Sequence, residues 1–196
     1  MAESETLIPL HEALRRNARK HPERVAYIWY GQHISWRQVD EASDAVAAHL
    51  QQLGVQKGEP VALFMNNCPQ YIVAHYAVQK IGAIVCPCGP LNKEHELEYQ
   101  LNDLRARIII AADGLLPVVD KVRSTTAIEH VLAVRYGDWL PAQTTLALPP
   151  ELQVPAQELP AHVESFWVLM HSGAKPQPVA VSMDDVALMT YTSGTT

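Results

Sequence analysis

Apolar residues in this chain form short unbroken runs separated by stretches with helical spacing. The runs that we predict to be strands are RVAYIWY (24–30), PVALFM (60–65), AIVCP (83–87), RIIIAA (107–112) and HVLAV (130–134). The last four do not alternate with polar residues, which is typical of strands covered on both faces of a parallel sheet. The first run, followed by GQHISW, predicts a hairpin.

The stretches between the runs have the spacing of amphipathic helices. Leu10, Leu14 and Ala18 recur every four residues and predict a first helix. A second helix is predicted between Ser35 as its N-cap and Gly54 as its C-terminal glycine. Three more are predicted over 69–82, 92–103 and 114–124, and the last of these is bent or interrupted at Pro117. Strands that alternate with helices imply right-handed crossovers. The predicted fold class is α/β, with an open, mostly parallel, doubly wound sheet and a small N-terminal hairpin.

The pattern changes after residue 137. Prolines crowd 138–185 around one apolar patch, SFWVLM (165–170), which predicts a long surface connection with a single short helix. DDVALMTYT (184–192) restores a strand, directly before a loop rich in hydroxyls. We therefore divide the chain into an α/β core (1–137), a proline-rich connection (138–185), and a strand with the first half of a loop (186–196).

Composition and charge narrow the function classes. The chain has 196 residues, 48% hydrophobic and 18% charged, which is typical of a globular protein with a substantial core. Its 15 basic and 21 acidic residues give a net charge of -6, which argues against general binding to nucleic acid. We find no secretory signal and no apolar run of the roughly 18 residues that a membrane span needs. The expected location is the cytoplasm.

The three cysteines and the tryptophans have plain structural interpretations. An odd number of cysteines does not form a closed disulfide framework. Cys86 and Cys88 lie on one face of a predicted strand, but their spacing does not suit structural zinc, and we interpret them as buried thiols. Cys68 is predicted to begin a helix rather than to act as a nucleophile. The four tryptophans are predicted to pack in the core or at its boundary, and no histidine is given a catalytic role.

The loop at 192–196 is the candidate binding site. Gly194 allows close approach of a ligand to the backbone, and Thr192, Ser193, Thr195 and Thr196 supply hydroxyls beside main-chain N–H groups. These groups suit a polyphosphate. A Ser/Thr-rich turn that caps a following helix is the alternative, and composition alone favours that alternative.

The segment YTSGTT (191–196) resembles the first half of the signature loop of the adenylate-forming superfamily, which continues as glycine, a variable residue, proline, lysine and glycine. Residues 34–103 also resemble the family's opening block. They match its hairpin, its long helix ending in Leu-Gly-Val, its KGEPVAL strand, a helix ending at Gly82 and Ala83, and a strand that contains proline. The branch most similar is that of fatty-acyl-CoA synthetases. The turn CPCGPLN departs from the family pattern at Cys88 and Gly89, which leaves the shape of the acyl end of the site open.

The resemblance implies that 1–196 is an incomplete N-terminal subdomain of an AMP-binding ligase of the acyl-adenylate synthetase fold. It implies that a carboxylic acid, a fatty acid in this branch, reacts with Mg-ATP to give an acyl-adenylate and pyrophosphate, and that coenzyme A then takes the acyl group and releases AMP. Thr192, Ser193, Gly194, Thr195 and Thr196 would hold phosphates of ATP, and Mg²⁺ would share their charge.

By the same resemblance the catalytic residues follow residue 196, so we expect no turnover from this chain alone. The chain is predicted to supply neither a catalytic residue nor a metal ligand. The expected partners are ATP, the acid and coenzyme A, without nucleic acid or a transmembrane segment. Peripheral membrane contact and a homodimer remain open for a longer protein. The alternatives are adenylation of an aryl, amino or short-chain acid, and a non-catalytic α/β binding module.

Overall fold

The computed structural model describes residues 7–155 and 158–192. The helices and strands are α1 (Leu10–Lys20), β1 (Val25–Trp29), β2 (Gln32–Ser35), α2 (Trp36–Gln52), β3 (Pro60–Phe64), α3 (Pro69–Lys80), β4 (Ile84–Cys88), α4 (Glu94–Leu104), β5 (Ile108–Ala112), α5 (Leu116–Arg123), β6 (His130–Val134), β7 (Val163–Ser165) and α6 (Phe166–Met170). The alternation of strand and helix from β3 onwards confirms the predicted α/β class.

The main sheet is parallel, with strand order β4-β3-β5-β6-β7. Strands β1 and β2 form a separate antiparallel hairpin. Each of the four apolar runs predicted as parallel strands is present, and the residues of β5 are all buried. The expected open parallel sheet with a small hairpin is therefore confirmed.

Helices cover both faces of the sheet, as a doubly wound fold requires. In β3, Val61 and Leu63 pack with residues of α1, α2, α3 and α6, whereas Ala62 and Phe64 pack with residues of α4 and α5. Successive side chains of a strand point to opposite faces, so an unbroken apolar run supplies both cores at once. This packing explains why these runs do not alternate with polar residues.

Local sequence signals place several helix ends where we predicted them. Ser35 caps α2 by accepting a hydrogen bond from the Gln38 N–H at 3.2 Å, while the Gln38 side chain accepts from the Ser35 N–H at 2.8 Å. Gly54 follows α2 with φ of 82°, the left-handed conformation that favours glycine. Pro117 does not bend a helix, because α5 begins at Leu116 and the proline lies in its first turn, where its missing N–H has no partner to lose.

The region after residue 137 differs in part from the expectation. Residues 141–150 are exposed or half-buried, as expected for a surface connection, and α6 is the predicted short helix. The three-residue strand β7 was not predicted, because a run so short carries no pattern of its own. The predicted strand at 184–192 is reduced to a single parallel bridge between Val85 and Leu188, and 186–190 are exposed.

Candidate functional site

The sheet has a switch point between β3 and β5, where the direction of strand addition reverses. The chain passes from β3 to β4 on one side and then returns to add β5 on the other side of β3. In open α/β sheets, ligands bind in the crevice at the carboxyl ends of the strands beside such a point. Here the residues that follow the strands at this edge are Asn66, Asp113 and Arg135.

A cavity of about 490 Å³ opens at this edge. Its lining includes Asn66 after β3, Pro90 after β4, Asp113 after β5 and Tyr136 after β6, together with residues 114–117, Asp120, Glu151, Val154 and 158–160. The lining combines an apolar wall with the carboxyl groups of Asp113, Asp120, Glu151 and Glu158. Carboxylates repel phosphate groups, so this lining does not suit a triphosphate.

Hydrogen bonds hold the loops around the cavity together. The Asn66 N–H donates to the Tyr136 hydroxyl oxygen at 2.7 Å, and the Gln70 side-chain amide donates to the Arg135 carbonyl oxygen at 2.9 Å. The Arg135 guanidinium lies 3.4 Å from the Asp113 carboxylate. Burial raises the pKa of the Tyr136 hydroxyl, and the hydrogen bond from Asn66 opposes that shift. The ends of β3, β5 and β6 are thus fixed relative to one another.

The turn that departs from the family pattern is tightly built. Cys88 is buried at the end of β4 and contributes to the core rather than to the cavity. A Cβ atom on Gly89 would lie 2.9 Å from the Asn92 side-chain oxygen, so this turn needs glycine unless Asn92 moves. The Asn92 side chain also donates to the Gln100 side-chain oxygen of α4 at 3.0 Å. Pro90 is the residue of this turn that reaches the cavity.

The segment that leads to the candidate phosphate loop runs beside β4. The Val85 N–H donates to the Ala187 carbonyl at 3.1 Å, and the Met189 N–H donates to the Val85 carbonyl at 2.9 Å. The bridge is parallel, so the chain beyond Met189 continues toward the same edge as the carboxyl ends of the strands. Thr192 follows there and is exposed. Ser193, Gly194, Thr195 and Thr196 lie outside the described residues.

Helix α4 holds the residue just before Thr192. The Tyr191 hydroxyl donates a hydrogen bond to the Asp103 carboxylate, and its ring lies edge-on to Tyr99 at 6.5 Å between centroids. Burial and the Asp103 carboxylate both raise the pKa of Tyr191, which keeps its hydroxyl protonated as a donor. This contact was not visible in the sequence, since 88 residues separate its two partners.

The cysteines are buried thiols, as predicted. Cys68 is the N-cap of α3, and its sulfur accepts a hydrogen bond from the Tyr71 N–H at 3.4 Å. Burial raises the pKa of Cys68 and Cys88 to about 12 and that of Cys86 to about 11, which disfavours the reactive thiolate. Within 7–155 and 158–192, no three His, Cys, Asp or Glu side chains come together in a way that could hold a metal ion.

The tryptophans pack as predicted. Trp139 is buried in the core, and Trp29, Trp36 and Trp167 are half-buried against it. Trp139 and Trp167 meet edge to face at 6.3 Å between ring centroids. These rings therefore stabilise the side of the sheet that carries α2 and α6.

Two histidine–carboxylate pairs come from distant parts of the chain. His49 of α2 lies 3.0 Å from the Glu164 carboxylate of β7, and His162 lies 3.2 Å from the Asp120 carboxylate. Asp120 lines the cavity at the switch point. Sequence spacing could not reveal these pairs, because parallel strands and their crossovers bring together residues far apart in sequence.

None of the helices in the described part of the chain has the length and apolar character needed to cross a membrane.

Comparison with known proteins identifies the family. The family described as AMP-binding enzyme matches residues 14–196. A long-chain-fatty-acid–CoA ligase of Escherichia coli O6:H1 is 34% identical over 195 residues, covering 95% of this chain and 35% of that protein. A 4-coumarate–CoA ligase of Humulus lupulus is 29% identical over 192 residues, covering 96% of this chain and 31% of that protein.

Solved structures agree with this assignment at the level of the fold. The anthranilate CoA ligase AuaEII in complex with anthranoyl-AMP superposes with a TM-score of 0.78 at 24% identity, covering 95% of this chain and 32% of that chain. The present chain thus spans about a third of the length of the curated relatives it matches. The chain belongs to the AMP-binding enzyme family.

Proposed function

We propose that this chain forms the N-terminal part of an ATP-dependent acid–thiol ligase that activates a fatty acid and transfers it to coenzyme A. The family match and the 34% identity to a long-chain-fatty-acid–CoA ligase support this function. The observation that carries it is the parallel bridge between Val85 and Leu188, because it directs Thr192 toward the ligand-binding edge of the sheet.

In this proposal the loop from Thr192 to Thr196 holds the phosphates of ATP. Hydroxyls and main-chain N–H groups are donors that match phosphate oxygens, and Gly194 lets the backbone approach closely. The loop would hold the β- and γ-phosphates so that the attacking oxygen, the α-phosphorus and the leaving oxygen are in line. It would then release pyrophosphate.

The proposed reaction has two steps. A carboxylate oxygen of the acid attacks the α-phosphorus of ATP, the bond from that phosphorus to the bridging oxygen breaks, and pyrophosphate leaves with the electron pair. The thiolate of coenzyme A then attacks the acyl carbon, and the bond from that carbon to the adenylate oxygen breaks, which releases AMP.

The resemblance also implies Mg²⁺, and the donors in this chain fit a cation held through ATP. Mg²⁺ is usually bound by substrate phosphates, waters and few protein ligands. The exposed Thr192 hydroxyl would bind the phosphates, which in turn would hold the ion. Bound Mg²⁺ would neutralise part of the phosphate charge. The main task of this chain would then be to hold the phosphates.

We also propose the division into an α/β core (1–137), a proline-rich connection (138–185) and a strand with half of the loop (186–196), in a protein located in the cytoplasm. Residues outside this chain would complete the active site, since the relatives are about three times as long. Residues 1–196 alone are therefore expected to give no turnover.

The test is ATP–pyrophosphate exchange by the ligase that carries this chain, with acids of short, medium and long chain and with 4-coumarate. We expect exchange with the longer fatty acids, and we expect Thr192→Val to lower it about a hundredfold, as loss of a positioned donor does. The exposed Thr145→Val is the matched control and should leave exchange unchanged. ATP–pyrophosphate exchange by residues 1–196 alone would contradict the proposal that residues outside this chain complete the active site.

The same assay separates the alternatives. Exchange with 4-coumarate but not with fatty acids would favour an aryl acid as substrate. Binding of ATP without exchange by any acid would favour a non-catalytic binding module. The coding sequence after Thr196 gives a second check, because the ligase interpretation requires glycine, a variable residue and then Pro-Lys-Gly.

A further inference from the structure

The segment that leads into the candidate phosphate loop is exposed but anchored. Residues 186–190 are exposed, and two backbone hydrogen bonds to Val85 attach them to the sheet. Two backbone hydrogen bonds each contribute only a small net stability and do not by themselves hold a chain segment in one place. Side-chain contacts on either side of the bridge supply the remaining attachment.

The first anchor is Lys57, in the turn between α2 and β3. Its ammonium group donates to the Ala180 carbonyl at 2.8 Å and lies 2.7 Å from the Asp185 carboxylate. Asp185 also accepts a hydrogen bond from the Ser182 N–H at 2.7 Å. One cation therefore closes the turn 180–185 at both ends, and that turn ends three positions before the bridge residue Leu188.

Gly82 makes room for this anchor at the end of α3. A Cβ atom at Gly82 would lie 2.9 Å from the Lys57 Cγ atom and 3.3 Å from the Val181 Cγ2 atom. Gly82 also has a φ of 68° and accepts a hydrogen bond from the Gly58 N–H at 2.8 Å. The lysine stem thus crosses directly over a glycine to reach the 180–185 turn.

The second anchor is Asp103, on the other side of the bridge. Its carboxylate accepts the hydrogen bond of the Tyr191 hydroxyl, and the ring of Tyr191 contacts Tyr99 of the same helix. Tyr191 follows the bridge residue Leu188 by three positions and directly precedes Thr192. Only five residues, 186–190, lie between the anchored residues Asp185 and Tyr191, so the two anchors restrict where Thr192 lies.

We propose that Lys57 and Asp103 are positioning residues for the phosphate loop. They hold the segment between Asp185 and Tyr191 against β4, so that Thr192 starts the loop at a fixed place and ATP does not have to order it on binding. This inference rests on the proposed function for its link to ATP. The anchoring of the segment by Lys57 and Asp103 does not depend on the proposed function.

The anchoring is tested first in the 196-residue chain by amide hydrogen exchange. Lys57→Met and Asp103→Ala should each speed exchange of the Met189 N–H, the bridge donor, by about tenfold, because local opening becomes easier. The Ile109 N–H of β5 should not change. Lys57→Arg and Asp103→Asn keep a donor and an acceptor, and they should restore slow exchange at Met189.

Lys121→Met is the matched control. It removes an exposed lysine of α5 whose ammonium lies 2.6 Å from the carboxylate of Glu94, which is the first residue of α4 and lies at the opposite end of that helix from Asp103. Its Met189 exchange rate should equal that of the unmodified chain. Unchanged exchange in both Lys57→Met and Asp103→Ala, or an equal rise in Lys121→Met, would overturn the anchoring.

The link to ATP is tested in the ligase that carries this chain. Lys57→Met should raise KM for ATP about tenfold and leave KM for the acid unchanged, whereas a general loss of structure would lower the amount of active enzyme without this selectivity. Lys57→Arg should restore KM for ATP. Active enzyme with faster Met189 exchange but unchanged KM for ATP would overturn the positioning role and leave the proposed function standing. Absence of ATP–pyrophosphate exchange by the unmodified ligase would instead overturn the proposed function. The amide hydrogen exchange rates of Met189 would still decide whether the anchoring is correct.

Discussion

Strand β5 lies inside the parallel sheet, whereas the segment 186–190 only touches the sheet's edge at β4, and different forces hold the two in place. Residues 108–112 are all buried, with β3 and β6 as hydrogen-bonding neighbours on either side. Residues 186–190 are all exposed and pair with β4 at one bridge. Both stretches are rich in apolar residues, so apolar composition did not decide which became a core strand. Neighbours on both sides and on both faces decided it.

The difference teaches where each kind of contact contributes to stability. Burial of apolar surface is worth roughly 25 cal/mol per Å², so a strand covered on both faces needs few other contacts. Leu188 and Met189 remain 45% and 42% exposed and gain little from burial. Lys57, in the turn after α2, and Asp103 of α4 hold the two ends of this segment instead. The four predictions below compare buried contacts of the core with exposed contacts at the surface, from the largest effect to the smallest.

The largest effect is expected from truncation of a core strand residue. Ile110→Ala removes a fully buried side chain of β5 and should lower the free energy of unfolding by about 2 to 5 kcal/mol. Leu188→Ala, the matched change in the exposed segment, should cost less than about 1 kcal/mol. Urea denaturation of both variants measures the difference. Equal losses would show that the segment is part of the core.

The next effect concerns the buried lysine that joins α2 to α3. The Lys80 ammonium lies 2.6 Å from both the Asp40 and the Asp44 carboxylates, and its side chain is 0% exposed. Lys80→Met should cost about 3 kcal/mol in urea denaturation, because it leaves partly buried carboxylates without this partner. Lys121→Met breaks an exposed pair and should cost less than about 1 kcal/mol. A loss as small for Lys80→Met would contradict a structural role for this network.

The ion pair between Lys80 and Asp44 should also make the stability of the protein depend on pH in the acid range. Burial alone would raise the pKa of Asp44, but Lys80 and Lys175 outweigh burial and lower it. A lowered pKa means that Asp44 contributes stability above its unfolded pKa of about 3.9 and that this contribution is lost as pH falls below that value. Lys80→Met removes much of this contribution, so the difference in stability between the two proteins should shrink as pH falls. Urea midpoints measured between neutral pH and pH 3 test this, and parallel curves for the two proteins would contradict it.

The smallest effect is expected where the connection crosses α2. The Gln51 side chain donates to the Gln177 carbonyl at 3.0 Å and accepts from the Gln177 N–H at 2.8 Å, both exposed to solvent. Gln51→Ala should cost about 0.5 kcal/mol, because water replaces exposed hydrogen bonds at little cost. Chemical denaturation measures the change, with Gln52→Ala on the same helix as control. A cost above about 2 kcal/mol would mean that this stretch resembles the core.

The sequence predicts the part of the candidate site that is contiguous along the chain, but it does not predict the part that distant residues form together. The hydroxyls of 192–196 and the strand-like run before them are contiguous, so pattern and resemblance find them. The lining of the cavity at the switch point comes from the ends of separate strands. Asn66, Asp113 and Tyr136, for example, follow β3, β5 and β6. No spacing rule connects these residues, because strand order is set by packing of the whole sheet.

The sequence by itself determined the local elements. The Ser35 cap and Gly54 specify the ends of α2 through contacts between residues near in sequence, and the unbroken apolar runs mark the segments that form β3 to β6. It also determined, by resemblance, the family. Only the tertiary structure decided that 186–190 form a bridge rather than a full strand, and that Lys57 and Asp103 hold this segment at its two ends. Such contacts join residues about 90 to 130 positions apart, and their formation depends on which surfaces the packed core leaves exposed.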